Sequence, residues 1–291
     1  MNTINILVPI NFSDKSKEGL FQAIQIANRT PAKIFLLHVV REHMPPWSLL
    51  SDDDKSSQTD IIKKTLLEEA KQLIGDSTIE LEPIVAFGKL CDQILKQADD
   101  LKASMIVMGT STAENIKKKI IGGNALRIVT EAKIPVITVK LGCASKNPAT
   151  IILPLDLSKE TREKVSDAVY WAKKLECRIC AVSFSTTRDD AVVGHLKGQL
   201  QQVESFVEDA GVEVETNFRF YHKGSRQAKL VEFIQEKEGD LVIITTHQQP
   251  EIVKFFLGSF AEDMIHSAPI PVMTKVPKGT FKTVTTMPGS F

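Results

Sequence analysis

The sequence carries one segment written twice. Residues 4–13, Ile-Asn-Ile-Leu-Val-Pro-Ile-Asn-Phe-Ser, return as residues 149–158, Ala-Thr-Ile-Ile-Leu-Pro-Leu-Asp-Leu-Ser, and the shared proline sets the offset at 154 − 9 = 145. Later landmarks repeat at a shorter offset: Gly88 with Gly224, Gly122 with Gly258 and Pro135 with Pro271, each 136 apart. An internal repeat of this length means two copies of one folding unit rather than a solenoid of short modules. The first copy therefore carries 145 − 136 = 9 extra residues between its first strand and Gly88. Phe35–Val40 still matches Cys180–Ser185 at 145, so the surplus follows Val40. The stretch Arg41–Asp60, with Pro45-Pro46-Trp47 and Ser51-Asp52-Asp53-Asp54, has the composition of a loop. It is expected to be solvated, with a lid over the neighbouring site as the sharper reading.

Within each copy, short apolar runs alternate with segments of helical period. Ile4–Pro9, Ile34–Val40, Ile79–Ala86, Met105–Met108 and Val136–Val139 read as strands. Between them lie apolar stripes such as Leu20, Ala23, Ile24 and Ala27, or Leu90, Ile94 and Ala98, and the second copy repeats the scheme with Val165, Ala168, Val169 and Ala172. Strands that are apolar throughout, joined by crossover helices, predict a parallel sheet covered on both faces. The expected fold class is therefore α/β, with two tandem five-stranded, doubly wound, Rossmann-like domains spanning 1–143 and 149–276 and a tail over 277–291. Ligands of such sheets sit at the carboxyl ends of the strands where strand order reverses. Here that point is expected between strands 1 and 4. A fifth strand at a sheet edge invites pairing, so Val136–Val139 and Val272–Lys275 are expected to meet across a pseudo-two-fold axis, making one chain mimic a dimer. A homodimer of the whole chain is a further option.

Composition removes several function classes. The 36 basic and 36 acidic residues give a formal net charge of zero, which argues against a broad electrostatic hold on nucleic acid or an acidic membrane. No apolar run approaches the roughly 20 residues of a membrane span. The start has neither the basic residues nor the apolar stretch of a signal peptide. Four cysteines are too few for a disulfide scaffold in a chain of 291 residues, and a reducing cytoplasm is the expected compartment. Cys177 and Cys180 form a lone C-x-x-C entering a strand, where positions i and i+3 point to opposite faces, so a structural role is expected. No metal site and no catalytic residue are assigned. A Walker-type Gly-Lys-Ser/Thr, paired carboxylates and a Ser-His-Asp constellation are all missing, which sets a slow ATPase below a binding protein.

After the fourth strand the first copy reads Gly109-Thr110-Ser111-Thr112, nine residues, then Gly122-Gly123-Asn124-Ala125; the second reads Thr245-Thr246-His247-Gln248, nine residues, then Gly258-Ser259-Phe260-Ala261. Here both copies resemble the universal stress protein family in its tandem two-domain form. The ATP-binding members of that family carry an aspartate after strand 1 and Gly-x2-Gly-x9-Gly-Ser/Thr after strand 4, and they close on a Pro-Val pair, present here as Pro135-Val136 and Pro271-Val272. Glycines let an anion approach the backbone, and peptide N–H groups with the following helix N-terminus hold phosphate oxygens.

The resemblance implies an adenine nucleotide, ATP with or without Mg, in at least one of two degenerate sites, and a protein partner that the sequence does not specify. In the first copy the implied residues are Asn11, Val40, Gly109, Thr112, Gly122, Gly123 and Asn124, with backbone near Val39-Val40 against the adenine edge. In the second they are Asp156, Thr245, Gln248, Gly258 and Ser259. Asn11 stands where the family has its aspartate, Thr112 replaces the second glycine, and Gly123 replaces Ser/Thr. In the second copy Thr245 and Gln248 put β-carbons where a ligand lies close. Steric loss is harder to repair than one side-chain hydrogen bond, worth about 1 kcal/mol net, so the first copy is the favoured site. The plainer reading of the glycines is a tight strand-to-helix turn, and of Ser13 and Ser158 helix N-caps. Lys117-Lys118-Lys119 reads as a solvated run with one lysine in reach of phosphates, and His247 as a surface or packed histidine. The alternative function is a stress or scaffold protein of this fold that binds no nucleotide.

Overall fold

The structure is a computed structural model that describes residues 3–41, 47–75, 77–110, 122–156, 161–246 and 257–276, without the side chains of 161 and 162. The first half runs β1 (Ile4–Pro9), α1 (Asp14–Ala27), β2 (Ala32–Val40), α2 (Asp52–Ile74), β3 (Glu80–Phe87), α3 (Leu90–Asp100), β4 (Met105–Gly109), α4 (Gly123–Glu131) and β5 (Val136–Val139). The second half follows the same order: β6 (Thr150–Leu155), α5 (Thr161–Leu175), β7 (Arg178–Ser185), α6 (Asp190–Asp209), β8 (Val214–Phe220), α7 (Arg226–Glu236), β9 (Leu241–Thr245), α8 (Ser259–Ser267) and β10 (Val272–Lys275).

All ten strands form one sheet in the order β3-β2-β1-β4-β5-β10-β9-β6-β7-β8. Among the described residues each half is parallel, and the single antiparallel pair is the seam between β5 and β10. In that seam Ile137 faces Met273. These are equivalent positions of the two copies (273 − 137 = 136), so the pseudo-two-fold axis passes between them. The seam's hydroxyl bonds obey the same symmetry: Thr138 Oγ1 donates to the Val272 carbonyl at 3.3 Å and Thr274 Oγ1 to the Val136 carbonyl at 3.2 Å. The expected edge pairing is thus present within the chain.

Both faces of the sheet are covered, which is why its strands carry no polar alternation. One core packs Ile6, Ile34, Leu66 of α2, Ala168 of α5 and Val203 of α6. The other packs Leu7, Leu37, Ile94 of α3, Ile128 of α4, Leu230 of α7 and Met264 of α8. Each core runs through both halves. Cys177 lies in the first and Cys180 in the second, so the two sulfurs diverge as strand geometry demands. Burial pushes the Cys177 thiol up to about 11, against the smaller opposing effect of the Arg29 charge.

The halves are also tied through the connecting segment. Arg29, just past the end of α1, donates to the carbonyls of Leu175 and Glu176 at 2.6 and 3.1 Å and to Asn147 Oδ1 at 2.8 Å. Glu18 and Gln22 on α1 accept from the backbone N–H groups of Ala144 and Ser145. Asp240 accepts from the Ser145 hydroxyl and the N–H groups of Ala149 and Thr150.

The surplus segment of the first copy needs correction. It is not loop up to Asp60: Trp47–Leu49 is a 3-10 turn, and α2 begins at Asp52. Ser51 is its N-cap, accepting from the Asp54 N–H at 3.2 Å, and three aspartates occupy the first turn. Ser-Asp-Asp-Asp is a helix start, stabilised by the cap and by acidic charge at the positive end of the helix dipole; the neighbouring prolines gave it the look of a loop. Strand register also divides the net nine. Val40 pairs with Phe87 and Ser185 with Phe220, so β3 and β8 correspond at an offset of 220 − 87 = 133. The first copy has 145 − 133 = 12 extra residues before β3. The second has three of its own, Tyr221-His222-Lys223, between Phe220 and Gly224.

Candidate functional site

Strands β2 and β4 flank β1, and because the crossovers from β1 leave in one direction and the return to β4 comes from the other, a crevice opens at their carboxyl ends. In the first half it is a cavity of about 270 Å³. Asn11, Gly109, Gly122, Gly123 and Asn124 all line it, along with Lys15 and Ser16 from the first turn of α1. Its apolar floor is Leu37, Val39, Leu90, Ile94 and Met108.

The loop after β1 is held in one shape. Phe12 adopts φ 63°, rare for a large side chain, and its ring lies 5.0 Å from that of His38. His38 Nδ1 donates to the Ile10 carbonyl at 2.8 Å, which fixes the proton on Nδ1. Asn11 Oδ1 accepts from both the Ser13 N–H and the Ser13 hydroxyl, the latter at 2.6 Å. Ser13 in turn caps α1, accepting from the Ser16 N–H, as expected of an N-cap. Since the oxygen of Asn11 is engaged locally, its NH2 group remains as the donor. An aspartate here would present a second acceptor oxygen instead.

Gly122 is the N-cap of α4 and Gly123 its first residue. The N–H groups of that first turn have no intrahelical partners, and the helix dipole makes them a preferred place for an anion. A Cβ on Gly123 would meet nothing within 4 Å, so no steric rule demands glycine there. Gly109 differs. A Cβ on it would overlap the Lys15 carbonyl, and one on Gly19 would lie 2.6 Å from the Gly109 nitrogen. Gly109 is therefore required by the packing of α1 on β4 before any ligand is considered.

Two residues change the expected list. Val40 is not among the lining residues; Leu37 and Val39 form the β2 wall, because alternation along a strand sends Val40 to the opposite face. Lys15 contributes the single charge of the described lining, and sequence reading passed over it. Its signal was position alone, in the first turn after a capping serine. Thr112, Lys117-Lys118-Lys119, Gln248, His247 and Ser158 lie outside the described residues, as does the tail 277–291.

The second half arranges the corresponding place differently. Arg226 stands where the first half has Leu90 (226 − 90 = 136), and Phe260 where it has Asn124 (260 − 124 = 136). The Arg226 guanidinium donates to the Leu155 carbonyl at 3.0 Å, lies 3.5 Å from Asp156 Oδ2 and sits 4.8 Å from the Phe260 ring centroid. Asp156 is thus engaged by a cation of its own chain. Thr245 is buried. Gly258 and Ser259 keep their places as N-cap and first residue of α8. Lys164 replaces Gly19 (164 − 19 = 145), is buried, and donates to the Pro154 carbonyl at 3.1 Å.

Fold and cleft together define a tandem doubly wound α/β protein with a ligand-sized crevice at the switch point of its first half. The profile of the Universal stress protein family matches residues 3–140 and again 149–275, and the chain belongs to that family. Universal stress protein MJ0531 of Methanocaldococcus jannaschii is 28% identical over 142 residues, covering 46% of this chain and 81% of that protein. Universal stress protein YxiE of Bacillus subtilis is 26% identical over 144 residues, covering 46% and 97%. Each relative is therefore about one repeat in size. A solved universal stress protein from Archaeoglobus fulgidus DSM 4304 superposes with a TM-score of 0.75 at 20% identity, over 95% of this chain and 100% of that one. At that identity the likeness is one of fold. Among the described residues no helix is long and apolar enough to cross a membrane.

Proposed function

We propose that this universal stress protein binds one adenine nucleotide per chain, in the first-half cleft, and acts as a cytoplasmic regulator whose ligand state alters its contacts with a protein partner. The observation that carries the reading is the convergence of Asn11, Gly109, Gly122, Gly123 and Asn124, distant in sequence, on one cavity. Its parts suit the two ends of a nucleotide. Leu37, Val39 and Leu90 offer an apolar slot for a flat base, while the Asn11 amide, Lys15 and the first turn of α4 offer donors and positive potential for phosphate. Among the described lining residues there is no carboxylate, so Mg bound with ATP would be held mainly by the phosphates.

The Arg226 arrangement favours a second reading for the second half alone. With Asp156, Leu155 and Phe260 gathered around the guanidinium, that half serves as a structural or scaffold unit without nucleotide.

Native mass spectrometry of the purified chain, followed by titration with ATP, tests both readings. One equivalent per chain, lost in Lys15→Glu and unaccompanied by phosphate release, is the expected result. No binding at millimolar ATP would leave the whole chain a scaffold, and sustained phosphate release would make it an ATPase.

A further inference from the structure

The second half carries a larger groove that the nucleotide reading does not use. It holds about 500 Å³ on the outer side of α7, where that helix meets the end of β8, within the roughly 300–1,000 Å³ of small-molecule sites. Its rim is Tyr221-His222-Lys223, the three residues that the first half lacks.

Several differences between the copies converge here. Phe184 replaces Val39 (184 − 39 = 145), Phe233 replaces Gln97 (233 − 97 = 136) and Arg219 replaces Ala86 (219 − 86 = 133), while Tyr221 is additional. The new rings form a wall: Phe184 meets Tyr221 at 6.3 Å and Phe233 at 6.4 Å, both edge-to-face. Edge-to-face contacts of this kind are favourable, and a further flat ring extends them. Phe233 is almost fully buried and forms the floor, with the Arg219 guanidinium 5.8 Å from its centroid.

Charge sets the second requirement. The two lining carboxylates are already matched: Arg219 Nη2 lies 2.6 Å from Glu236 and Lys229 Nζ 2.7 Å from Glu232. Lys223 is exposed and has no ion-pair partner among the described residues. The groove therefore keeps one excess positive charge beside an aromatic wall.

We propose that this groove is a second binding site, for a small flat aromatic anion of one or two fused rings bearing a single acid group, and that it acts independently of the first-half cleft. The rings supply stacking area and Lys223 the counter-charge, so the ligand must have both features. An aliphatic acid loses the first and a neutral aromatic the second.

The test is calorimetric titration of the full chain, in saturating ATP, with 2-naphthoate, 2-naphthamide and cyclohexanecarboxylate. Naphthoate is expected to bind at one equivalent, with the amide and the aliphatic acid each at least about tenfold weaker. Lys223→Glu should weaken naphthoate by about tenfold and Tyr221→Ser by about fivefold, with thermal midpoints unchanged because both side chains lie on the rim. Equal affinity for naphthoate and naphthamide would overturn the proposal, as would competition by ATP or indifference to both substitutions. Tighter binding of an acidic tryptophan-containing peptide than of naphthoate would overturn it in favour of a protein-docking groove.

Discussion

Gly19 of α1 and Gly109 at the end of β4 lie so close that a methyl group on Gly19 would stand 2.6 Å from the Gly109 nitrogen, and one on Gly109 would strike the carbonyl of Lys15. This contact seats the first turn of α1 directly over the carboxyl end of β4, and so builds the wall of the cleft that carries Lys15 and Ser16. The second half has Lys164 and Thr245 at the two places, and α5 lies less closely on β9 than α1 does on β4.

Gly19→Ala and Gly109→Ala should each destabilise the protein by about 1–3 kcal/mol, as over-packing does, with Gly109 the worse because its Cβ would overlap the Lys15 carbonyl more deeply than a Cβ on Gly19 approaches the Gly109 nitrogen. Gly123→Ala, which meets open space, should leave the urea midpoint within about 0.5 kcal/mol of wild type. Chemical unfolding of the three variants checks the ranking. Equal losses at Gly109 and Gly123 would contradict it.

Leu90→Arg should place in the first cleft the side chain that occupies the second. ATP retention in native mass spectra is expected to disappear while the circular dichroism spectrum stays that of the wild type. The reverse change, Arg226→Leu, removes a half-exposed ion pair and a cation–π contact, and should cost roughly 1 kcal/mol in urea unfolding. Retained ATP in Leu90→Arg would refute the cleft's role.

Thr138→Val and Thr274→Val each delete one hydroxyl bond from symmetry-related places in the β5–β10 seam. Each should cost about 1 kcal/mol, and the two losses should match. Both residues are buried, so the valine methyl replaces the hydroxyl without opening a cavity. A large difference between the two would show that the seam is not functionally two-fold.

The Cys177 thiol is raised from 9.0 to about 11 by burial. A raised value means that the folded state holds the proton more tightly than the unfolded state. Its contribution to stability is therefore complete below pH 9 and is lost as pH climbs through 11. Melting temperatures of wild type should fall more steeply over that window than those of Cys177→Ala, and thiol labelling of the native protein at pH 8 should be slow at this site. Parallel melting curves across pH 9–11 would exclude the buried thiol as the cause.

Much of the molecule was legible without coordinates. The strand runs around Ile6, Ile106 and Ile151, the helical stripes and the position of the switch point follow from local periodicity, which short-range geometry alone sets. Ser51 was misread because its capping role competes with nearby prolines for the same stretch of chain. Val40 was named for its backbone, whereas the side chains that reach the cleft from β2 are Leu37 and Val39, which share the other face of the strand. The surplus of nine was the difference between twelve residues gained in the first copy and three in the second, and counting cannot separate opposite changes that cancel.

The duplication, the doubly wound class and the edge-strand seam belong to the amino-acid sequence, because each depends on spacing along the chain. How the described residues of each half line the switch point was decided only in three dimensions. Leu90 and Arg226 occupy the same register in their helices, and nothing within the second of these helices says that Arg226 meets Asp156, 70 residues away. Such contacts, like the close approach of Gly19 to Gly109 in the first half, join residues far apart along the chain, and only the packing of helices on strands brings them together.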